Sequence, residues 1–477
     1  MIRVNKSNII LETSIYLFIF FLVISTSFIY GSGQISSDIT TIIKQWLSIE
    51  EHNDNFPIMV KIIFNFITTL LGNAWHFHFI QNLILYFGSF FLIKESLLFG
   101  GLSKNSSAII SFGFIFLFFL NPVILSHTSK WYIDYWFSGL LVSSMAIYIL
   151  SLRYECSNRF KLFIFLVSLA ISLKYNAIIL VLSVICSYLL FLYTTEKYKF
   201  ANIIFGSVLI ILFILSVYLI PKTFFDENDS GFYMAVPYYE TLGVMNNNEK
   251  HSKKILESLK TKGIDLTSGL EKYNDRNSGI QTLRTNSFKI DVRNNKDEFN
   301  EFYAKEIITK YPFELLKIKF KHFNFFLKNE NGAAFSNKLY AEYKDETLIE
   351  IFGKPREPAN RDILHYANSL VESSRNNKLI NFLFVDLRGS IIILIISLIL
   401  LNFSSVNKKV KRVINSTSTF SFALIFGFFL ANLGAFLKYG FPILLINYCL
   451  IYIIFWLLII NLINIYRNKK SKCKIIV

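Results

Sequence analysis

The segment IYLFIFFLVISTSFIYGSGQISSD, residues 15–38, passes from a long apolar run directly into a polar stretch that contains Asp38. An apolar run of this length is typical of a helix that crosses a bilayer. Further apolar runs recur along the chain. We therefore predict ten membrane spans, at roughly residues 12–30, 76–93, 107–125, 133–151, 161–173, 176–193, 201–220, 387–403, 416–437 and 441–465.

The composition of the whole chain agrees with this pattern. Its 477 residues are 53% hydrophobic with a mean hydropathy of +0.44, which excludes an ordinary soluble domain. We predict an all-α polytopic membrane protein with about ten transmembrane helices and a mainly α extracytoplasmic domain. The predicted parts are an N-terminal membrane domain (1–220, with an outer loop at 31–75), a soluble domain (221–385) and C-terminal membrane helices with a basic tail (386–477).

The net charge of +16 lies mostly in the short loops and in the tail YRNKKSKCK, whereas residues 221–385 are nearly neutral. This is the positive-inside pattern of a multi-pass protein and not a nucleic-acid-binding face. We predict a protein of the cell (inner) membrane with both termini in the cytoplasm. Residues 58–72 are interpreted as an amphipathic helix on the outer membrane surface, because a span there would place the basic clusters outside.

Two hydrophilic segments also predict helices. NNNEKHSKKILESLKTKG (246–263) predicts a polar helix, and residues 299–327 predict two helices broken at Pro312. The second of these carries Phe313, Leu316, Phe320 and Phe323 at three-to-four spacing, an apolar stripe that faces either a core or the membrane.

The acids outside residues 221–385 are informative because a carboxylate at a membrane boundary is costly unless it is solvated or paired. Under the predicted topology Asp38, Asp54 and Asp134 all map to the outer face. Their clustering indicates a polar cleft on that face. The alternative is that these loops are polar only because they face water.

The stretch SHTSKWYIDYWFSGLLV (126–142) places Lys130 and Asp134 four residues apart, among aromatic residues that include Trp131. One interpretation is an interfacial aromatic belt with one ion pair. The other is a site for a lipid phosphate or a sugar, since aromatic faces stack on sugar rings and a lysine counters phosphate charge. The further cations predicted on the outer face are Lys174, Arg388 and Lys438.

No cofactor motif is present. The sequence contains no Walker loop, GxSxG, HExxH or paired-cysteine motif, and His76 and His78, two residues apart, point to different sides of a helix. We therefore predict no cofactor, and no complete ligand set for a divalent metal.

The order of these elements resembles the polytopic, lipid-linked-sugar-dependent glycosyltransferases of the GT-C fold. The similarity covers residues 10–220 best and 300–325 more loosely. Two departures are Asn55-Phe56-Pro57 where many relatives have His-Pro-Pro, and Ile133 where many have lysine. The motifs that carry the resemblance are SSDITTIIKQW (36–46), HNDNFPIMVKIIFNF (52–66), NPVILSHTSKWYIDYWFSGLLV (121–142), SLKYNAIILVLSVI (172–185) and IITKYPFELLKIKF (307–320).

The resemblance implies transfer of a sugar from a polyprenyl-phosphate donor to a cell-surface glycan or glycolipid acceptor, of the lipopolysaccharide O-antigen type, on the extracytoplasmic face. It makes Asp38 the general base, with Asp134 and Asp54 as further catalytic candidates, and Lys174 the first choice for the lipid phosphate. The implied substrate-binding residues are Lys174, Lys130, Arg388, Lys438, Trp131, Tyr175 and Gln45.

Two alternatives belong to other classes. A polysaccharide polymerase of the O-antigen type also has a large outer loop, but its arginine-rich motifs have no counterpart here, since the arginines of residues 221–385 are scattered. A transporter or flippase requires polar or charged residues near the bilayer midplane, whereas the central thirds of these spans are almost wholly apolar.

Overall fold

The fold is almost entirely helical. The computed structural model describes residues 6–29, 57–71, 75–119, 133–197, 199–224, 232–274, 280–283, 285–328, 376–384, 386–431 and 437–474, with the short pieces 34–35, 41–42, 44–45 and 130–131 and the single residues 362, 369 and 373.

Eleven helices of the described chain lie before and after the hydrophilic region. Before it are α1 (Lys6–Ile29), α2 (Ile58–Leu71), α3 (Trp75–Phe99), α4 (Lys104–Phe119), α5 (Ile133–Arg153), α6 (Ser157–Ser172), α7 (Val181–Thr194, preceded by a 3-10 turn at Tyr175–Leu180) and α8 (Phe200–Phe224). After it are α16 (Leu387–Phe403), α17 (Lys408–Ala431) and α18 (Leu437–Lys474).

Seven stretches of the described chain are long and apolar enough to cross a bilayer, and they coincide with seven of the ten predicted spans. They are Ile9–Thr26, His76–Phe99, Ile133–Arg153, Asn176–Thr194, Phe200–Val217, Lys408–Leu430 and Gly440–Arg467. The other three predicted spans coincide with α4, α6 and α16, which have 16, 16 and 17 residues. Such helices are about 25 Å long, somewhat less than the hydrocarbon thickness of a typical bilayer.

Helix α5 is the centre of the bundle. Its span is 83% buried within the protein, whereas the span on α8 is 11% buried and presents most of its surface outward. The crossing of α3 and α5 is close because glycines face each other. A Cβ atom on Gly139 would lie 3.2 Å from the backbone nitrogen of Leu85, and one on Gly88 would lie 3.2 Å from the carbonyl oxygen of Gly139. Such contacts between small residues are typical of helix packing in membranes.

Ion pairs define the two ends of the bundle. At one end Arg153 contacts Glu95 at 2.8 Å, so the carboxyl-terminal ends of α5 and α3 lie together. Glu12 of α1 contacts Lys94 and Lys104 there, each at 2.6 Å. At the other end Lys174, which follows α6, pairs with Asp134 at the start of α5.

A second hydrophobic core lies in the hydrophilic region, between Met234 and Ile318. Its helices are α9 (Ala235–Asn247), α10 (Glu249–Lys260), α11 (Thr267–Lys272), α12 (Ile280–Leu283), α13 (Lys296–Phe302) and α14 (Pro312–Lys328), with π-helical turns at Ser287–Val292 and Tyr303–Ile308; α15 (Lys378–Phe384) precedes α16. Both predicted segments are helical: α10 lies within 246–263, and residues 299–327 form helical structure that is interrupted at Tyr311, after which α14 begins at Pro312.

Helix α14 joins this second core to the bundle. Lys319 forms an ion pair with Glu240 of α9, and its ammonium group also donates to the carbonyl oxygen of Leu430 at 3.0 Å. Further along, the ring of Phe326 stacks on Phe428 of α17 at 4.8 Å. The second core therefore sits at the end of the bundle that carries Asp134 and Lys174.

Candidate functional site

Two short described pieces of the chain form a pair of parallel strands. Strand β1 (Gln34–Ile35) pairs with β2 (Lys130–Trp131), with Ile35 opposite Trp131. Ile35 lies three residues before Asp38, and Trp131 lies three residues before Asp134. The pair thus links the segment that leads to Asp38 with the segment that leads into α5. Asp38 itself, like Asp54, lies outside the described residues.

Asp134 and Lys174 form a buried ion pair at this end of the bundle. The side chains are 9% and 13% exposed, so both charges are largely removed from solvent. Asp134 lies in the first turn of α5, where the helix dipole favours a negative charge. Lys174 lies in an extended position between α6 and the 3-10 turn, which projects it towards α5.

The ammonium group of Lys174 is also surrounded by aromatic rings. Its Nζ lies 5.6 Å from the ring centroid of Phe137 and 4.9 Å from that of Phe428. Aromatic faces attract a cation within about 6 Å, and more strongly where water is excluded. The three elements α5, α6 and α17 therefore fix this lysine in one position, with its charge held at the bundle end.

A small apolar crevice opens beside the ion pair. It is lined by Val60, Ile63, Phe77, Ile133, Trp136 and Leu173. Two of these residues, Ile133 and Leu173, immediately precede Asp134 and Lys174. The indole nitrogen of Trp136 is buried and has no hydrogen-bond acceptor among the described residues. The crevice thus presents apolar surface next to the paired charges.

Two residues near the crevice were not singled out from the sequence. Lys61 on α2 is fully buried, and His78 on α3 is buried and within 3.2 Å of the side-chain nitrogen of Asn82. The signal for Lys61 was available, because it is the one charged residue in IMVKIIFNFITTLL. A lysine that interrupts an apolar run and is buried in the fold is a functional candidate by default.

Gln45, predicted to bind substrate, is fully buried in the described piece 44–45. Neither its amide nitrogen nor its amide oxygen has a hydrogen-bond partner in the part of the chain that the structure describes. An amide without partners is costly to bury, so this side chain is suited to accept and donate to a bound molecule.

Arg388 lies at the same end of the bundle but in a separate ion pair. Its Nε donates to both carboxylate oxygens of Asp386, at 3.1 and 3.0 Å, and Asp386 caps α16. Arg388 is connected to Asp134 through packing contacts of the residues next to each of them. Tyr135 contacts Phe441 edge-on at 4.6 Å, and a Cβ on the neighbouring Gly440 would lie 2.7 Å from Leu387.

The remaining predicted residues are placed by their backbone only. Lys130 and Trp131 form β2, Tyr175 begins the 3-10 turn, and Lys438 lies in the first turn of α18; their side chains lie outside the description. All four positions are at the end of the bundle that holds Asp134 and Lys174. Among the described residues, no group of three or more histidine, cysteine or acidic side chains could hold a metal ion.

In chemical terms, this end of the bundle offers an anchored cation, a partner carboxylate and an apolar crevice. Comparison of the chain with protein-family models, with curated proteins and with solved structures finds no match.

Proposed function

We propose that this protein is an integral membrane glycosyltransferase that moves a sugar from a polyprenyl-phosphate donor to a cell-surface glycan acceptor. In this proposal the end of the bundle with Asp134 and Lys174 faces the extracytoplasmic side of the inner membrane. The three shorter helices α4, α6 and α16 complete ten spans, both termini are cytoplasmic, and the second core is extracytoplasmic. The basic residues at the opposite end, such as Lys94, Arg153 and Lys409, support this orientation.

The observation that carries the proposal is the buried Asp134–Lys174 pair beside an apolar crevice. A polyprenyl-phosphate sugar has an apolar chain and an anionic phosphate, and the apolar residues beside the pair and the Lys174 ammonium group are complements for these two parts. Lys174 would lie against the phosphate, whose charge grows as it leaves the sugar. Asp134 would hold that lysine in place.

The reaction forms one bond and breaks one. The acceptor hydroxyl oxygen attacks the anomeric carbon, and the bond between that carbon and the phosphate oxygen breaks. Asp38 takes the proton of the hydroxyl, and the polyprenyl phosphate leaves as an anion. The strand pair β1–β2 supports this role for Asp38, because it joins the chain just before Asp38 to the chain just before Asp134. Residues of the second core would shape the acceptor site.

The test is the Asp38→Asn variant, assayed with polyprenyl-phosphate sugar and candidate acceptors. Loss of a positioned general base lowers the transfer rate by about 10²–10⁴-fold. The matched control is Glu155→Gln, since Glu155 is an exposed acid at the opposite end of the bundle, beside Lys409. Transfer at the wild-type rate by Asp38→Asn, with normal protein levels, would remove Asp38 from the mechanism.

The same variant in cells separates the predicted alternatives. A glycosyltransferase variant lacks one decoration of the glycan, whereas a polymerase variant has shorter chains. A transporter transfers no sugar in the purified assay, with or without the substitution. A collapse of chain length with intact transfer would therefore contradict the proposed function.

A further inference from the structure

Helix α14 has one face that is buried and one that is not. Leu315, Ile318, His322 and Phe326 are buried against the second core and the bundle. The apolar residues of the other face are exposed: Phe313 by 82%, Leu316 by 45% and Phe320 by 57%. Phe323, the fourth residue of the stripe, packs against the core of the bundle, so the exposed stripe consists of Phe313, Leu316 and Phe320.

The exposed face has a basic edge. Lys317 and Lys321 are exposed and each lies one position after an exposed apolar residue, Leu316 or Phe320. At about 100° per residue, the two lysines lie side by side along one border of the apolar stripe. A helix with an apolar stripe beside a basic stripe is typical of helices that lie in a membrane interface.

The position of α14 relative to the membrane helices fixes its depth. The ring of Phe320 lies 5.0 Å from that of Phe429, in the last turn of α17. Lys319 donates to the carbonyl oxygen of Leu430, also in that turn. The carboxyl-terminal end of the exposed stripe, at Phe320, therefore lies level with the end of a candidate membrane span, which is where the hydrocarbon core of a bilayer ends.

The stripe also continues an outward-facing apolar surface of α17. Phe422, Phe426 and Leu430 of α17 are 37%, 50% and 45% exposed, and they lie at four-residue intervals that lead towards Phe429 and Phe320. On a membrane span, such a surface contacts lipid chains. Lipid chains therefore also lie next to α14.

We propose that α14 anchors the second core in the lipid leaflet at this end of the bundle. Phe313, Leu316 and Phe320 insert among the acyl chains, while Lys317 and Lys321 extend their ammonium groups to the lipid phosphates. The occupant is the bilayer and not a second copy of the chain. Three exposed side chains are too few for a stable dimer interface, and two copies paired on this face would bring their lysines together.

The experiment measures lipid contact with a fluorescent bimane label and brominated acyl chains, which quench on contact. Labels are placed by Phe313→Cys and Leu316→Cys, in a chain in which Cys156, Cys186 and Cys473 are replaced by serine; Cys449 is fully buried. The matched control is Lys254→Cys on α10, an exposed position of the second core. The protein is reconstituted in vesicles of phosphatidylcholine and phosphatidylglycerol, with and without bromine.

We expect brominated chains to quench the labels at residues 313 and 316 several-fold more than the label at 254. Equal quenching at 313 and 254 would overturn the anchor, because both positions would then face water. A blue-shifted but unquenched label at 313 would also overturn it, since protein and not lipid would cover the stripe. The label at 316 provides a second position if the change at 313 prevents folding. None of these outcomes depends on the transferase activity.

Discussion

The ion pair between Asp134 and Lys174 combines a structural and a proposed chemical role, and the two can be separated. Removing one partner of a buried pair leaves an uncompensated charge, which costs about 3–5 kcal/mol. We therefore expect Lys174→Met to lower the melting temperature of the purified protein markedly. The double variant Asp134→Asn, Lys174→Met has no isolated charge, so it regains much of this stability. If Lys174 contacts the lipid phosphate, the double variant stays inactive.

The control for these two variants is Lys317→Met. Lys317 is an exposed lysine of α14, so its replacement should alter the melting temperature little. A double variant with normal transfer activity would contradict the proposed role and leave the pair with a structural role alone. The measurements are thermal unfolding in detergent and the sugar-transfer rate of the same preparations.

At the residue scale, the sequence predicts that Asp134 and Lys174 lie in one cleft at the outer face, and one interpretation also pairs Asp134 with Lys130. The spacing of four suggests a contact only on a helix. Because α5 begins at Ile133 and Lys130 lies in β2, that helical relationship does not exist. The observed partner is 40 residues away in the chain and follows from tertiary packing.

At the scale of elements, the crossing of α3 and α5 gives a sharp prediction. At Gly139 even a Cβ atom would lie 3.1 Å from Cγ2 of Ile84 and 3.2 Å from the backbone nitrogen of Leu85. We expect Gly139→Val to separate the two helices and to lower the free energy of unfolding by about 1–3 kcal/mol, the usual cost of overpacking. The start of α5, and with it Asp134, would move, so sugar transfer should fall as well.

The matched control is Gly113→Val on α4, where a Cβ would make only an ordinary contact, 3.4 Å from the hydroxyl oxygen of Tyr452. Thermal unfolding of both variants gives the comparison. Equal melting temperatures for the two would mean that α3 and α5 can move apart at little cost.

Helix existence was easier to predict than helix length or surroundings. Apolar periodicity predicts α2. The effect of proline on the residue before it predicts that α14 begins at Pro312. Helices α4 and α16 have 16 and 17 residues, and α16 ends where its apolar run meets the polar Asn402–Ser405 segment. The side to which the stripe of Phe313 faces depends on neighbours that are distant in the sequence, so periodicity alone left it open.

At the scale of the whole molecule, two hydrophobic cores meet through a small charged cluster. The buried Glu240 carboxylate accepts hydrogen bonds from the Lys319 ammonium group and from the Tyr303 hydroxyl. Lys319 also donates to the carbonyl oxygen of Leu430 at the end of α17. The sequence does not predict this cluster, because Tyr303 and Lys319 lie 63 and 79 residues after Glu240 in a region of mixed charge. It fixes the second core over the bundle end that carries the candidate site.

The cluster predicts an alkaline weakening of this junction. Burial, and secondarily the neighbouring Glu240 carboxylate, raises the pKa of Tyr303 above its ordinary value. The unfolded phenol has a pKa of about 10, so the folded state retains the proton at pH values where the unfolded state releases it. The stabilisation is therefore complete below about pH 10 and declines as the pH rises from there towards the folded pKa.

We expect Tyr303→Phe to flatten this alkaline decline, because the variant has no phenol to ionise, while at neutral pH it loses one hydrogen bond to a charged group, about 1.5–3 kcal/mol. Hydrogen exchange of α9 and α14, measured at neutral pH and above pH 10, reports the junction separately from the bundle. Lys319→Met is the second variant, since it cuts the link to Leu430 and leaves the phenol in place. An alkaline decline of the same slope in Tyr303→Phe and in the wild type would assign the effect to other groups and leave the cluster without a role in joining the two cores.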